Sequence, residues 1–415
     1  MGRFILASVS IFFMIAAMVA PYQFVYAGQS STINIQPQVT YTFGNHLAIQ
    51  ASLSALTGTA RIKSGKIFLQ TQGSSKTNEA DIILERVDQS SQRWQLSYEQ
   101  DLGQHPLRTF TNLKYWFAFL LDDGSIITSQ IFSFYYEDNR YTWHTSKATP
   151  FLFHWYEGST QLDQEVFNTA WDGVTRAKSI LPLDLPQDIN IYAYTSAREV
   201  QSTLQMGTTN WAAGHADPDL KVIVVSLPTG AGQRQEMARQ IPHELMHILL
   251  YQKVGERYRN LPVWFAEGLA SMTELYPDPD YPLLLQTAQE GNSLISIQSL
   301  CDPFPQETSG ALLAYAESTS FVRFLHGQYG SSGLEKLLRG YADGQDCERG
   351  VETAFGMTLS DLESRWHRDI FESKPISQEM GELAPWLVVF FLVLLIPLMV
   401  GIIGGTTGRR AMAHD

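Results

Sequence analysis

The segment "RQIPHELMHILL" sets His243 and His247 four residues apart, with Glu244 directly after the first. On a helix, positions i and i+4 project from one face, so the two imidazoles can meet a single metal ion. Glu244 is turned about 100° from His243, away from the ligand positions and toward the water that a metal would activate. Zinc acts as a Lewis acid on water and on a carbonyl, and a carboxylate so placed takes the proton and returns it to a leaving amine. A catalytic zinc site uses three protein ligands and keeps one position open. The stretch "NLPVWFAEGLASM" offers the third ligand, Glu267, with 19 residues between it and His247.

Those residues suffice to finish one helix, turn, and run a second helix back past the first. Asn260 is expected to cap the second helix, Pro262 suits its first turn, and Gly268 would let the two helices approach closely. Phe265, Ala266, Gly268 and Leu269 flank Glu267, and a charge in that company is costly unless it is paired or bound to metal. Pro242 either kinks the helix ahead of the ligands or marks its first turn.

"IPHELMH", then "LPVWFAEGLA", then "YAESTSFVRFLHGQYG" resemble the gluzincin zinc metallopeptidases, and more closely the bacterial peptidase MA-like domain, over about residues 150–372. The resemblance implies a thermolysin-like α+β catalytic domain, Zn2+ held by His243, His247 and Glu267, and Glu244 as general acid/base. Thermolysin-like enzymes commonly carry an acidic residue four positions after the third ligand to orient a ligand histidine. Ser271 stands there, which leaves that partner unassigned. A tetrahedral oxyanion calls for a donor opposite the zinc, and Tyr315 in "LLAYAESTSF" is the first candidate, with core packing as its other reading. His326 is a weaker alternative. Upstream, "NWAAGHADPDLKVIVV" stands where gluzincins put the edge strand that holds extended substrate. The zinc aminopeptidases carry a glutamate there for the free amine; "WAAGHADPD" has none, which tilts the expectation toward an endopeptidase. His215 in that stretch either contacts substrate or is a loop histidine without a chemical role.

The rest of the chain supplies the frame. From about residue 30 to 145 the apolar residues alternate, as in Leu47, Ile49, Ala51 and Leu53 and again in Trp94, Leu96 and Tyr98, and Asp123-Gly124 is a hairpin-turn signal. Residues 28–146 therefore read as an all-β immunoglobulin/fibronectin-like sandwich and 147–373 as the peptidase domain. Within the latter, "LDQEVFNTAWDGVTRAKSIL" has helical spacing, "INIYAYT" and "KVIVVSL" are short strands, and Ser360 with Glu363 make a capping-box pattern.

The ends carry their own signals. Residues 1–27 read as a signal peptide, cleaved after Ala27 or retained as an anchor. "APWLVVFFLVLLIPLMVGIIGG" contains no charge and is long enough to cross about 30 Å of hydrocarbon. It predicts a transmembrane helix over 384–405 after a stalk at 374–383, and Arg409 with Arg410 keep the 406–415 tail cytoplasmic. The expected location is the cell membrane, single-pass, with the catalytic domain extracytoplasmic and the lipid bilayer contacted through the C-terminal helix. The net charge of −13 disfavours nucleic acid as a partner. The spacing of the two cysteines, Cys301 and Cys347, does not decide whether they pair. The chain thus reads as a membrane-anchored zinc metallopeptidase acting on protein or peptide substrates. Its rival is a surface binding protein that keeps the fold without the activity, and intact Glu244 argues against that rival.

Overall fold

The computed structural model describes residues 35–53, 61–87, 93–158, 161–204 and 214–372. The expected signal peptide, stalk, transmembrane helix and tail lie outside these residues. Among the described residues, no helix is long and apolar enough to cross a membrane. The chain divides into two compact units: one runs to Pro106 and includes Asn112–Tyr135, the other comprises Leu107–Thr111 and everything from Tyr136 onward.

The first unit is a region of antiparallel sheet. One sheet has the order β1 (Ile35–Thr42), β2 (His46–Leu53), β6 (Trp94–Asp101), β5 (Ile83–Arg86). The other has β4 (Asn78–Asp81), β3 (Ile62–Thr71), β7 (Thr111–Leu121), β8 (Ile126–Thr128), with β9 (Phe132–Tyr136) also pairing β7. Alternation decides which side chains are buried: Leu47, Ile49, Ala51 and Leu53 on β2, and Leu113, Tyr115, Phe117 and Phe119 on β7. β7 and β8 pair antiparallel across the turn at Asp123-Gly124. Gly124 there has φ 84°, and Asp123 accepts from the Ser125 amide at 2.9 Å.

The second unit is mixed. Its sheet has the order β10 (His144–Ala148), β11 (Phe151–Trp155), β12 (Ile189–Tyr194), β14 (Val222–Ser226), β13 (Gly214–Asp217). β11, β12 and β14 run parallel, and β13 is an antiparallel edge strand. Parallel neighbours need both faces covered. α1 (Leu162–Ile180) and α3 (Gln233–Val254) pack on the face bearing Ile191, Ile223 and Val225. α2 (Ala197–Leu204) and Phe110 cover the face bearing Tyr192, Val222 and Val224.

Helices follow: α4 (Val263–Thr273), α5 (Tyr281–Glu290), α6 (Thr308–Ala342, broken at Gly330 with φ 64°), α7 (Cys347–Phe355) and α8 (Leu359–His367). Gly268 serves a different contact from the one expected. A Cβ there would lie 2.5 Å from Val322 Cγ2 and 2.6 Å from the Ser318 carbonyl, so the close approach is between α4 and α6. Asn260 does not cap α4, because its side chain donates to the Ala342 carbonyl at 3.0 Å. The N-cap of α8 is Thr358, whose hydroxyl accepts the Asp361 amide at 3.1 Å, while Glu363 accepts the Ile297 amide at 2.9 Å. Cys301 and Cys347 form a disulfide, and Trp264 of α4 donates its indole N–H to Cys347 Sγ at 3.2 Å.

Candidate metal centre

α3 carries His243, Glu244 and His247, and its position against the sheet is set one turn earlier. The Gln240 side-chain amide accepts from the Ser226 N–H and donates to the Ser226 carbonyl, both at 3.0 Å, so it extends the end of β14 like a further strand residue. Pro242 lies ten positions into α3 and not in its first turn. The Ala238 carbonyl, which an ordinary residue at 242 would satisfy, accepts from the Leu275 N–H at 2.9 Å. Thr273 Oγ1 shares its proton between the Pro242 carbonyl at 2.8 Å and the Ala270 carbonyl at 2.6 Å. The end of α4 is thereby tied to the turn of α3 that precedes the histidines.

His243 Nε2 lies 3.3 Å and His247 Nε2 3.7 Å from Glu267 Oε2. All three residues offer a ligand atom within 4.8 Å of the others. Their remaining imidazole nitrogens are also engaged. His243 Nδ1 is 3.0 Å from Glu274 Oε1 and 3.4 Å from Ser271 Oγ; His247 Nδ1 is 2.7 Å from the Tyr258 hydroxyl. With the Nε2 atoms given to a metal, each Nδ1–H donates outward, to Glu274 and to Tyr258.

The donor set fits a four-coordinate dication. Bonds of about 2.0–2.2 Å to a tetrahedral ion leave the ligand atoms about 3.4 Å apart, close to the two separations observed. Two carboxylates, Glu267 at 3.3 Å and Glu274 at 3.0 Å, also flank the His243 imidazole, and negative charge gathered in this way is what a dication balances.

Burial pushes the Glu244 carboxyl up to about 7, against the opposing pull of His243 and His215. Burial alone would also raise Glu267. The charges of His247 and His243, with hydrogen bonds from His243 and Tyr315, outweigh it and hold Glu267 at about 2. His247 is pushed down to about 4 by burial. For His243 burial is overridden by its acceptors Glu267 and Glu274, which raise it well above the usual imidazole range.

Tyr315 of α6 reaches the same site: its hydroxyl hydrogen-bonds the Glu267 carboxylate, and its ring centre is 6.0 Å from that of His243. His326 lies three turns further along α6, with Ser331 Oγ 3.5 Å from its Nε2, and is not part of the site. β13 runs beside the helix. An added Cβ at Gly214 would be 2.7 Å from Glu244 Oε1. His215 is 40% exposed, with Nε2 3.8 Å from Asp217 Oδ1. Arg108 in turn holds Asp217 at 2.8 Å and Asp219 at 2.7 Å.

Two residues of this site escaped the sequence reading. Glu274 stands seven positions after Glu267, two helical turns along the same face, and that spacing was a usable signal. Tyr258 sits in the turn between α3 and α4, where no periodicity points at His247.

Residues 169–372 match the model of the peptidase MA superfamily. No curated protein matches the chain. Among solved structures, an aminopeptidase N family protein from Idiomarina loihiensis is similar at 8% identity and TM-score 0.38, over 80% of this chain and 76% of that one. A purple acid phosphatase from yellow lupin (Lupinus luteus) seeds is similar at 9% identity and TM-score 0.20, over 38% and 28%. A myokine is similar at 12% identity and TM-score 0.18, over 26% and 99%. At these TM-scores the structural likenesses carry no argument. The family match covers the histidine helix, Glu267 and Tyr315 together, and it is over residues 169–372 that the chain is similar to the peptidase MA superfamily.

Proposed function

We propose that this protein is a zinc metallopeptidase in which His243, His247 and Glu267 hold the metal and Glu244 is the general acid/base. The observation that carries this reading is the convergence of two imidazole Nε2 atoms on one Glu267 oxygen, at 3.3 and 3.7 Å, with Glu244 alongside. Zinc at these three residues supplies Lewis acidity to the attacking water and to the scissile carbonyl. Glu244 takes the proton from the water and delivers it to the leaving amine nitrogen. Tyr315 stabilises the oxyanion by donating its hydroxyl. Substrate lies extended along β13, the edge strand of its sheet, and pairs with that edge through backbone hydrogen bonds. Pairing of this kind needs no free terminus, which supports an endopeptidase. The charge-free span at 384–405 with Arg409 and Arg410 supports a membrane anchor with the peptidase outside the cell.

Metal analysis of the purified protein and a peptide-library cleavage assay test this function, with Glu244→Gln as the control. Stoichiometric zinc with cleavage abolished only in Glu244→Gln is the expected result. Zinc without cleavage in the wild type would favour the binding-protein reading.

A further inference from the structure

We propose that Pro242 is a positioning residue for the first histidine ligand, acting through a backbone carbonyl that it leaves free and through Glu274. The inference rests on the metal-site reading above. Proline has no amide hydrogen, so a helix that contains one at position 242 cannot satisfy the carbonyl four residues earlier. That carbonyl, Ala238, accepts instead from Leu275 at 2.9 Å. Two residues before Leu275, Thr273 Oγ1 lies 2.8 Å from the carbonyl of Pro242 itself and 2.6 Å from that of Ala270 in its own helix, so its single proton is shared between the two. Glu274 is caught between these two tethers. It leaves the helical conformation at φ −53° and ψ 125°, is 3% exposed, and sets Oε1 3.0 Å from His243 Nδ1.

The opposite side of the same turn is held as well. A Cβ on Gly173 of α1 would lie 3.0 Å from Pro242 Cβ and 3.1 Å from its Cα, so α1 packs directly on the proline. The turn therefore has little freedom to move away from Glu274. With an ordinary residue at 242, the helix supplies its own donor to Ala238, in competition with Leu275. The tether on Glu274 then loosens, and with it the orientation of the imidazole. An interior proline is costly to a helix, and an orienting role for the carboxylate is what that cost secures.

The test titrates Zn2+ and Co2+ into the metal-free full-length protein, the Pro242→Ala and Glu274→Gln variants, and the double variant. Melting of each metal-free form is measured alongside. Pro242→Ala is expected to weaken zinc binding about tenfold and to alter the visible absorption of the cobalt form. Its metal-free melting temperature should be unchanged or higher, because an interior proline has been removed. In the Glu274→Gln background, Pro242→Ala should have no further effect on affinity. Wild-type affinity and cobalt spectrum in Pro242→Ala would overturn the proposal, and so would additive losses in the double variant. A wild-type protein that binds neither metal overturns the metal-site reading itself.

Discussion

Gly214 and Glu244 are in such close contact that a methyl group on the first would lie 2.7 Å from a carboxylate oxygen of the second. The contact joins the edge strand to the residue proposed as general acid/base. Gly214→Ala should leave the fold intact, since the displaced atom is the end of a flexible side chain. It moves the carboxylate that must meet the attacking water, and a displacement of about 1 Å can cost on the order of a hundredfold. Turnover should fall at least tenfold with the melting temperature little changed. Equal turnover would mean that Glu244 tolerates the shift and is not geometrically constrained.

Tyr315→Phe removes one hydroxyl from beside Glu267. If that hydroxyl serves the oxyanion, turnover falls about a hundredfold, or about 3 kcal/mol, with the Michaelis constant little changed. Zinc affinity should stay close to wild type, because Glu267 keeps its other contacts. A large loss of zinc with turnover per bound metal preserved would reassign Tyr315 to orienting Glu267.

Tyr258→Phe probes the other imidazole. The hydroxyl at 2.7 Å is the partner that fixes His247 with its Nε2 toward Glu267. Loss of such a partner typically lowers metal affinity about 10- to 100-fold. Competition with a zinc chelator measures it. An unchanged dissociation constant would leave Tyr258 as packing only.

Glu317 makes a prediction away from the metal. It is fully buried on α6, accepts the Ile295 amide at 2.9 Å, and leaves its second oxygen without a partner. Burial pushes its carboxyl up to about 8, and the nearby Glu363 adds to the shift. The unfolded chain releases this proton near the ordinary carboxylate value of 4.5, so between that pH and about 8 the folded state binds more protons. Stability contributed by this group is therefore lost as pH rises through the window. Glu317→Gln, which cannot ionise, should flatten the fall in melting temperature between pH 5 and 8 and melt a few degrees higher at pH 8. Parallel melting curves for the two proteins across that range would refute the raised carboxyl.

What could be read from the chain was what depends on local spacing. His243 and His247 at i and i+4, Glu267 among apolar neighbours, and the strand alternation around Leu47 and Leu96 all follow from local sequence pattern. The turn at Asp123-Gly124 was legible for the same reason. The failures occurred where a side chain chooses between local and distant partners. Asn260 reaches the end of α6 and leaves α4 uncapped; Glu363 turns to Ile297, and Thr358 takes the cap of α8. Pro242 was ambiguous because its effect is settled by a donor 33 positions later, Leu275, which no window of sequence connects to it.

The five residues Leu107–Thr111 have a consequence for modularity. They lie in sequence among the strands of the first unit yet belong to the second, where Arg108 engages Asp217 and Asp219 and Phe110 stacks on Tyr192 with ring centres 3.9 Å apart. A polypeptide begun at Tyr136 would contain every residue of the metal site and still leave two aspartates beside the edge strand without their counter-charge and the sheet without its cover at Tyr192. The second unit is thus not an exchangeable cassette that ancestry or a protein engineer could cut free at Tyr136. It includes a piece borrowed from the region before it, Leu107–Thr111.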